Sequence, residues 1–273
     1  MTWQHRTPHP GCGGSRPLLT PRSPRFKGVI IRICAVLTLF LLLMASADGS
    51  DVERASDRVL AAREVVGHSP TNAEAAWRLA EAIYRRGDFA TDRSDRESWA
   101  QQGLQAARNA LGLDTNSAPA HFFLSMNLGL LAQARRMSAL GLLPEMEKHL
   151  LRSIELEKSF RAAIAERSLG MLYRDAPGWP LSLGSRSKAR TFLERAVQTA
   201  PDYPENLLTL MESEIRWGDR KQAASRSKAM EEMLKRAAQG LHEAEWKSSW
   251  ADWNPRAERI RKALAPNPKT TPR

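Results

Sequence analysis

The sequence predicts an all-α fold: a solenoid of stacked helical hairpins with lengthened loops inside the hairpins. Three observations predict it. From Asp51 to Leu264 apolar residues recur at helical spacing, without the sustained alternation or β-branched runs of a strand. A pattern of small and aromatic residues recurs loosely, best seen at Leu169-Gly170-x-x-Tyr173…Ala189…Ala196…Pro201. Segments opening near Ala73, Ala118, Ala163 and Pro204 are regularly spaced, 45, 45 and 41 residues apart. In the pattern, Leu and Gly let the first helix of a hairpin pack closely and Tyr fills the seam. Two alanines seven apart admit the second helix and Pro ends it. Hairpins of this kind cannot bury their apolar faces alone, so they stack and present grooves to partners. The reading points to binding and away from catalysis.

Residues 1–47 read as an export leader. Residues 1–32 carry six Lys and Arg side chains and no acid, Ile33 to Met44 is an uncharged run that is apolar but for Thr38, and Ala45-Ser46-Ala47 supplies small residues for cleavage. This twelve-residue run falls short of the roughly 20 that span a bilayer. Cleavage after Ala47 is therefore preferred to an uncleaved N-terminal anchor, and the product is expected to be periplasmic or secreted. Cys12 and Cys34 both fall in the leader, and no Cys follows the apolar run. The remainder has neither a disulfide framework nor a lipid-modified N-terminal cysteine, so burial of a core must hold it together.

The net charge of +11 shrinks to +5 without the leader, 35 Lys/Arg against 30 Asp/Glu. Residues 256–273 hold six bases and one acid, which leaves Asp48 to Pro255 balanced at 29 against 29. A nucleic-acid reader carries a basic face on its folded body, so no nucleic-acid partner is expected. The tail from Pro266 to Arg273 reads as a solvated basic end.

The first helix runs from about Asp51 to Val66, with Val52, Ala55, Val59, Ala62 and Val66 on one stripe, and stops at Gly67 and Pro70. It reads as the second half of a hairpin covering the start of the stack. Unit one (73–117) turns Trp77, Ala80, Ile83 and Tyr84 inward and bends at Gly87-Asp88-Phe89. A polar insertion from Ala90 to Arg96 is expected before its second helix. Unit two (118–162) opens on His121-Phe122-Phe123-Leu124, and the apolar stretch Leu130 to Leu143 separates this helix from the next, expected from about Glu145 to Leu156. Unit three (163–203) is broken by Asp175 to Gly184. Unit four (204–237) turns at Gly218-Asp219. The excess over the roughly 34 residues of a plain unit thus lies inside the first three hairpins. Trp246, Trp250 and Trp253, at spacings of four and three, share a helix face that closes the stack to about residue 254. A short helix, Arg256 to Leu264, and the tail complete 255–273.

The pattern resembles the tetratricopeptide (TPR) repeat, so the fold expected is a TPR-like α-hairpin solenoid. The Trp77-x-Leu79-Ala80…Tyr84…Gly87-Asp88 opening and the His121-Phe122-Phe123-Leu124…Leu128-Gly129 helix narrow the likeness. So does the loop leading into Ser187-Lys188-Ala189-Arg190-x-Phe192-Leu193-Glu194-Arg195-Ala196. From about Asp51 to Lys235 these segments resemble the T component of TRAP transporters and, more distantly, the regulator-of-microtubule-dynamics family. The transporter resemblance implies an exported, oligomeric TPR protein that docks a solute-binding protein and passes an apolar ligand through a cavity. Other envelope proteins, an apolar small ligand and copies of the chain itself are the partners it implies. The alternatives are a general protein–protein scaffold without a ligand cavity and an envelope enzyme with a non-standard site.

Catalytic signals are weak. Ser185-Arg186-Ser187-Lys188 and Ser225-Arg226-Ser227-Lys228 match the S-x-x-K spacing of serine acyl enzymes, without the accompanying S-D-N motif, and Ser185 and Ser187 suit a helix cap. His68, His121, His149 and His242 show no pair at zinc-helix spacing: Trp246 stands where H-E-x-x-H needs its second ligand. Gly11-x-Gly13-Gly14 lies in the leader and lacks the Lys of a phosphate loop. No catalytic residue, metal site or cofactor is expected. The loop Pro177 to Gly184 is unusually apolar for a surface segment. Trp179, Leu181 and Leu183 either plug the gap between two helices or form a lip with His121, Phe122 and Met126 that contacts a ligand or partner.

Overall fold

Asn72 shows how locally each hairpin begins. Its side chain accepts hydrogen bonds from the backbone N–H groups of Glu74 (2.9 Å) and Ala75 (3.1 Å), filling donors that a new helix leaves unpaired. Asp92, Ser117 and Ser185 cap later helices in the same way. The computed structural model describes residues 51–135, 138–239 and 244–265. The expected leader, His242 and the tail from Pro266 lie outside the described residues, as does the side chain of Trp246.

Eleven helices form among the described residues, and no strand. They are α1 (51–68), α2 (Ala73–Asp88), α3 (Arg93–Leu113), α4 (Ala118–Ala134), α5 (Ala139–Leu156), α6 (Ile164–Asp175), α7 (Arg186–Thr199), α8 (Pro204–Arg216), α9 (Arg220–Ser225), α10 (Ser227–Gln239) and α11 (Ala244–Leu264). The pairs α2–α3, α4–α5 and α6–α7 are antiparallel hairpins packed in chain order, and α8 is covered by α9, α10 and α11. This is an all-α, TPR-like solenoid.

Small residues set the spacing of the stack. A Cβ on Gly170 would lie 2.7 Å from Leu193 Cγ and 3.1 Å from the Leu193 backbone nitrogen, so α6 and α7 touch at this point only because Gly has no side chain. Ala189, Leu193 and Ala196 form the facing buried stripe of α7. Gly103 plays the same part between α3 and α4, where a Cβ would sit 1.9 Å from Asn127 Oδ1.

Among the described residues, two apolar clusters result beside a small one of Ala76, Ala110 and Ala120. The larger runs from Val59 in α1 to Ala189 in α7 through Ile83, Phe123, Leu150 and Leu169. The smaller joins Leu208 and Met211 of α8 to Met230 and Leu234 of α10 and to Trp253 and Ile260 of α11. A polar layer lies between them. Arg167 donates to Asn206 (2.6 Å), Thr199 donates to Glu166 (2.7 Å), Arg195 pairs with Glu166 (3.0 Å) and Arg226 pairs with Glu214 (3.0 Å). Glu166, Arg167, Asn206 and Glu214 are all buried, and each finds a partner in this layer.

Three local expectations change. The extra length of units one and two is mostly helix: Asp92 caps α3 early enough for it to run 21 residues, and α4 continues to Ala134 before α5 starts at Ala139. Leu130, Leu131 and Leu143 are buried in the main cluster, which makes continuing the helices favourable. Among the described residues the long intra-hairpin loop survives only in unit three, residues 176–185. Arg256 to Leu264 is not a separate helix but the second half of α11. Pro255 is exposed and costs one hydrogen bond, while Trp253, Ala257 and Ile260 hold both halves to the smaller cluster. Trp253, only 1% exposed, packs edge-on against Tyr203, and Trp250 lies against the same cluster.

Candidate functional site

The loop after α6 is held from within. The backbone N–H of Gly184 donates to Pro177 O (2.8 Å) and that of Ser185 to Tyr173 O (2.9 Å), which brings the loop back to its own start. Gly184 fits because a Cβ there would lie 2.1 Å from Ala176 O. Leu183 turns inward and packs against the main cluster. Trp179 and Leu181 do the opposite, 89% and 74% exposed. The plug expected of these three residues is therefore supplied by Leu183 alone.

Beside the loop lies an apolar groove of about 500 Å³ between α4, α5 and α6. Met126, Met146 and Met171 line it, with Leu143 and Leu172, and Pro177 borders it. Three thioether side chains make a surface that adapts to an irregular apolar partner. The six residues singled out from sequence do not meet in one place. Met126 lines the groove, Phe122 is buried at 2% exposure inside the main cluster, and His121 faces a separate cavity. Trp179 and Leu181 project from the loop outside the groove lining.

That separate cavity, about 580 Å³, holds a histidine pair that spacing along the chain does not reveal. His121 Nδ1 and His149 Nδ1 are 2.8 Å apart, and His121 Nε2 is 3.1 Å from Thr115 O. A carbonyl can only accept, so His121 carries its proton on Nε2. Its Nδ1 is then the acceptor, and His149 Nδ1–H the donor. Burial disfavours the charged ring in both, pushing His121 below the usual range and His149 to about 4, where the proximity of His121 adds to the effect. The pair is neutral at pH 7 and joins α4 to α5. The only sequence signal is that both residues face the seam of one hairpin, and 28 intervening residues hide it.

The Ser185–Lys188 pair that resembled a catalytic motif forms a helix cap and an ion pair. Ser185 Oγ accepts from the Lys188 backbone N–H (3.3 Å) as the α7 cap, while Lys188 Nζ lies 3.7 Å from Glu147. Glu147 also accepts a hydrogen bond from Tyr173 Oη; burial first, and then this bond, push the Tyr173 hydroxyl well above its ordinary range. Among the described residues no group of three or more His, Cys, Asp or Glu side chains could hold a metal ion.

A third concavity, about 850 Å³, is bounded by α1, α2, the turn before α6, α6 itself, the start of α8 and Ser249 of α11, and arginines dominate its lining. Along the chain Arg78 and Arg85 stand four residues after Glu74 and Glu81, the spacing of exposed ion pairs, which carries no sign of a shared groove. Only the fold brings Arg58, Arg78, Arg85, Arg161 and Arg167 to one groove.

Comparison with known proteins agrees with this architecture. A family model described as "Regulator of microtubule dynamics protein 1-3" matches residues 44–171, the part of the chain that contains α1 to α5 and the opening turns of α6. A thermophilic TPR protein of Thermus thermophilus, TTC0263, superposes with a TM-score of 0.53 at 19% identity, over 84% of this chain and 96% of that one. The crystal structure of MamA aligns with a TM-score of 0.45 at 20% identity, over 66% of this chain and 89% of that one. No curated protein matches the sequence. In fold, the chain is a TPR-like helical-repeat protein.

Proposed function

We propose that the protein is an exported binding scaffold that assembles with other proteins of the cell envelope, using the apolar groove and the Trp179–Leu181 lip as its docking edge. The observation that carries this reading is the exposure of Trp179 and Leu181, 89% and 74%, on a loop whose own hydrogen bonds hold it beside an open apolar groove. A large aromatic side chain kept in water by an ordered loop is the kind of group that contributes most when a partner covers it. TPR folds in general act through protein partners, and stacked hairpins provide the surfaces for this. The leader read from sequence supports export, with cleavage near Ala47 and an uncleaved anchor as the other outcome.

The more specific version is an accessory resembling the TRAP-transporter T component. It would dock a solute-binding protein, assemble with copies of itself and admit an apolar small molecule to the Met126–Met146–Met171 groove. The groove's chemistry suits such a ligand. We also place the protein among binding proteins and not enzymes, because the two titratable groups described, His121–His149 and Glu147–Tyr173–Lys188, are engaged in joining helices.

Native mass spectrometry on the full chain, expressed in an exporting host and purified gently, tests both levels. A discrete oligomer or a co-purifying apolar molecule, lost in Trp179→Ala/Leu181→Ala, supports the transporter-like version. A bare monomer that still captures a stoichiometric envelope protein through Trp179 leaves only the general scaffold. Capture that is indifferent to both substitutions overturns the docking edge.

A further inference from the structure

The arginine-lined groove has a charge balance that its own acids do not complete. Five guanidinium groups line it, against two carboxylates, Glu81 and Glu205. Both carboxylates are already shared. Glu81 is held by Arg85 at 2.9 Å and by Arg161 at 2.6 Å. Glu205 lies 3.5 Å from Arg167 and 3.8 Å from Arg256. Arg78 pairs with Glu74 on an exposed surface, where such a pair is weak and readily exchanged. Arg58 has no hydrogen-bond or ion-pair partner among the described residues and stands exposed on α1.

A second observation concerns Arg167. Its side chain is 5% exposed, and its Nε reaches Glu205 Oε1 only at 3.5 Å, an ion pair without a well-formed hydrogen bond. Burial weakens its hold on a proton, the expected response of a cation removed from water. The turn leading to Arg167 is also strained. Arg161, Ala162 and Ala163 all adopt left-handed backbone angles, φ 44°, 55° and 61°, which non-glycine residues avoid. Asn206 Nδ2 donates to Ala162 O (3.0 Å) and so anchors the turn, which holds the Arg161 guanidinium at the groove. Strain retained in this way concentrates at binding sites.

We infer that this groove binds an extended acidic segment of a partner protein, its carboxylates seated on Arg58 and Arg78, beside the Glu81-bound Arg161 and above the buried charge of Arg167. Guanidinium groups match carboxylates through paired N–H donors. An open groove of about 850 Å³ is far larger than one small anion fills, which favours a chain carrying several carboxylates. The site is separate from the apolar groove, so its failure would leave the docking edge at Trp179 untouched.

The test is fluorescence anisotropy with the full chain and a labelled peptide of about twelve residues alternating Glu with Ser and Gly, beside the same peptide with Gln for Glu. The acidic peptide is expected to bind and the Gln peptide not, with affinity falling as salt rises. Arg58→Gln/Arg78→Gln, both at exposed positions, is expected to weaken binding about tenfold, the effect of losing two exposed charge pairs. Lys228→Gln, at an 89% exposed side chain on α10, is expected to leave it unchanged. Equal weakening by Lys228→Gln would mean attraction to overall charge and would overturn the site. So would equal binding of the two peptides, or binding of inorganic pyrophosphate without binding of the peptide.

Discussion

Arg161 grips Glu81 through two hydrogen bonds of 2.6 Å each, joining side chains 80 residues apart. The guanidinium also lies within 5.3–5.9 Å of the ring centroids of Phe123, Phe160 and Trp77, so one planar cation ties α2 and α4 to the turn before α6. Burial alone would raise the Glu81 carboxyl, but the bonds and charge of Arg161 outweigh it and hold the group below its ordinary range. Glu81→Gln should therefore destabilise the protein by about 1–2 kcal/mol in urea unfolding at pH 7. Because a lysine has neither the fork nor the flat face, Arg161→Lys should resemble Arg161→Ala more than the wild type. A double-mutant cycle between the two positions showing no coupling would contradict the link.

Gly170 and Gly112 make a matched pair for testing the close approach of helices. Gly170→Ala must push Leu193 or its backbone aside and should cost about 1–3 kcal/mol. Gly112 lies in α3 with nothing within 4 Å of an added Cβ. Gly112→Ala should be neutral or stabilise by up to about 1 kcal/mol. Thermal melts of the two variants moving in the same direction would argue against this account.

The histidine pair predicts a pH dependence with a definite sign. His149 titrates near 4 in the folded protein against about 6.5 when unfolded, so between these values the unfolded chain holds the extra proton. Stability should fall as pH drops from about 6.5 towards 4, then stop changing from this source. The contribution of Glu81 is lost separately, as pH falls below the ordinary carboxylate range towards its depressed folded value. His149→Gln should flatten the upper part of a stability–pH curve measured by urea midpoints and leave the lower part in place. An unchanged slope between pH 6.5 and 4.5 in that variant would refute the assignment.

Trp179 separates a binding residue from a packing one. At 89% exposure it has little to lose on truncation, so Trp179→Ala should shift the melting temperature by less than about 1 °C. Trp253→Ala, at 1% exposure between α8, α10 and α11, should cost about 3–5 kcal/mol. A large drop for Trp179→Ala would show that the loop folds over the stack in solution.

Much of the architecture is legible in the residues. Helical periodicity, the small-residue position at Gly170, the cap at Ser185 and the turn at Gly218, with φ of 84°, are short-range signals that tolerate little else. What sequence could not separate was a lengthened loop from a lengthened helix. Leu130 to Leu143 is as apolar as a buried loop or a buried helix would be, and only neighbouring surfaces decide between them.

The sequence by itself determined that this chain is helical, repetitive and built of hairpins, because each helix carries its own periodicity and stop signals. Tertiary structure alone decided that His121 meets His149, that Trp179 faces water while Leu183 does not, and that arginines from α1, α2 and α6 converge on one groove. The physical reason is range. A helix face records that something will cover it, but not which side chain, from tens of residues away, will arrive there.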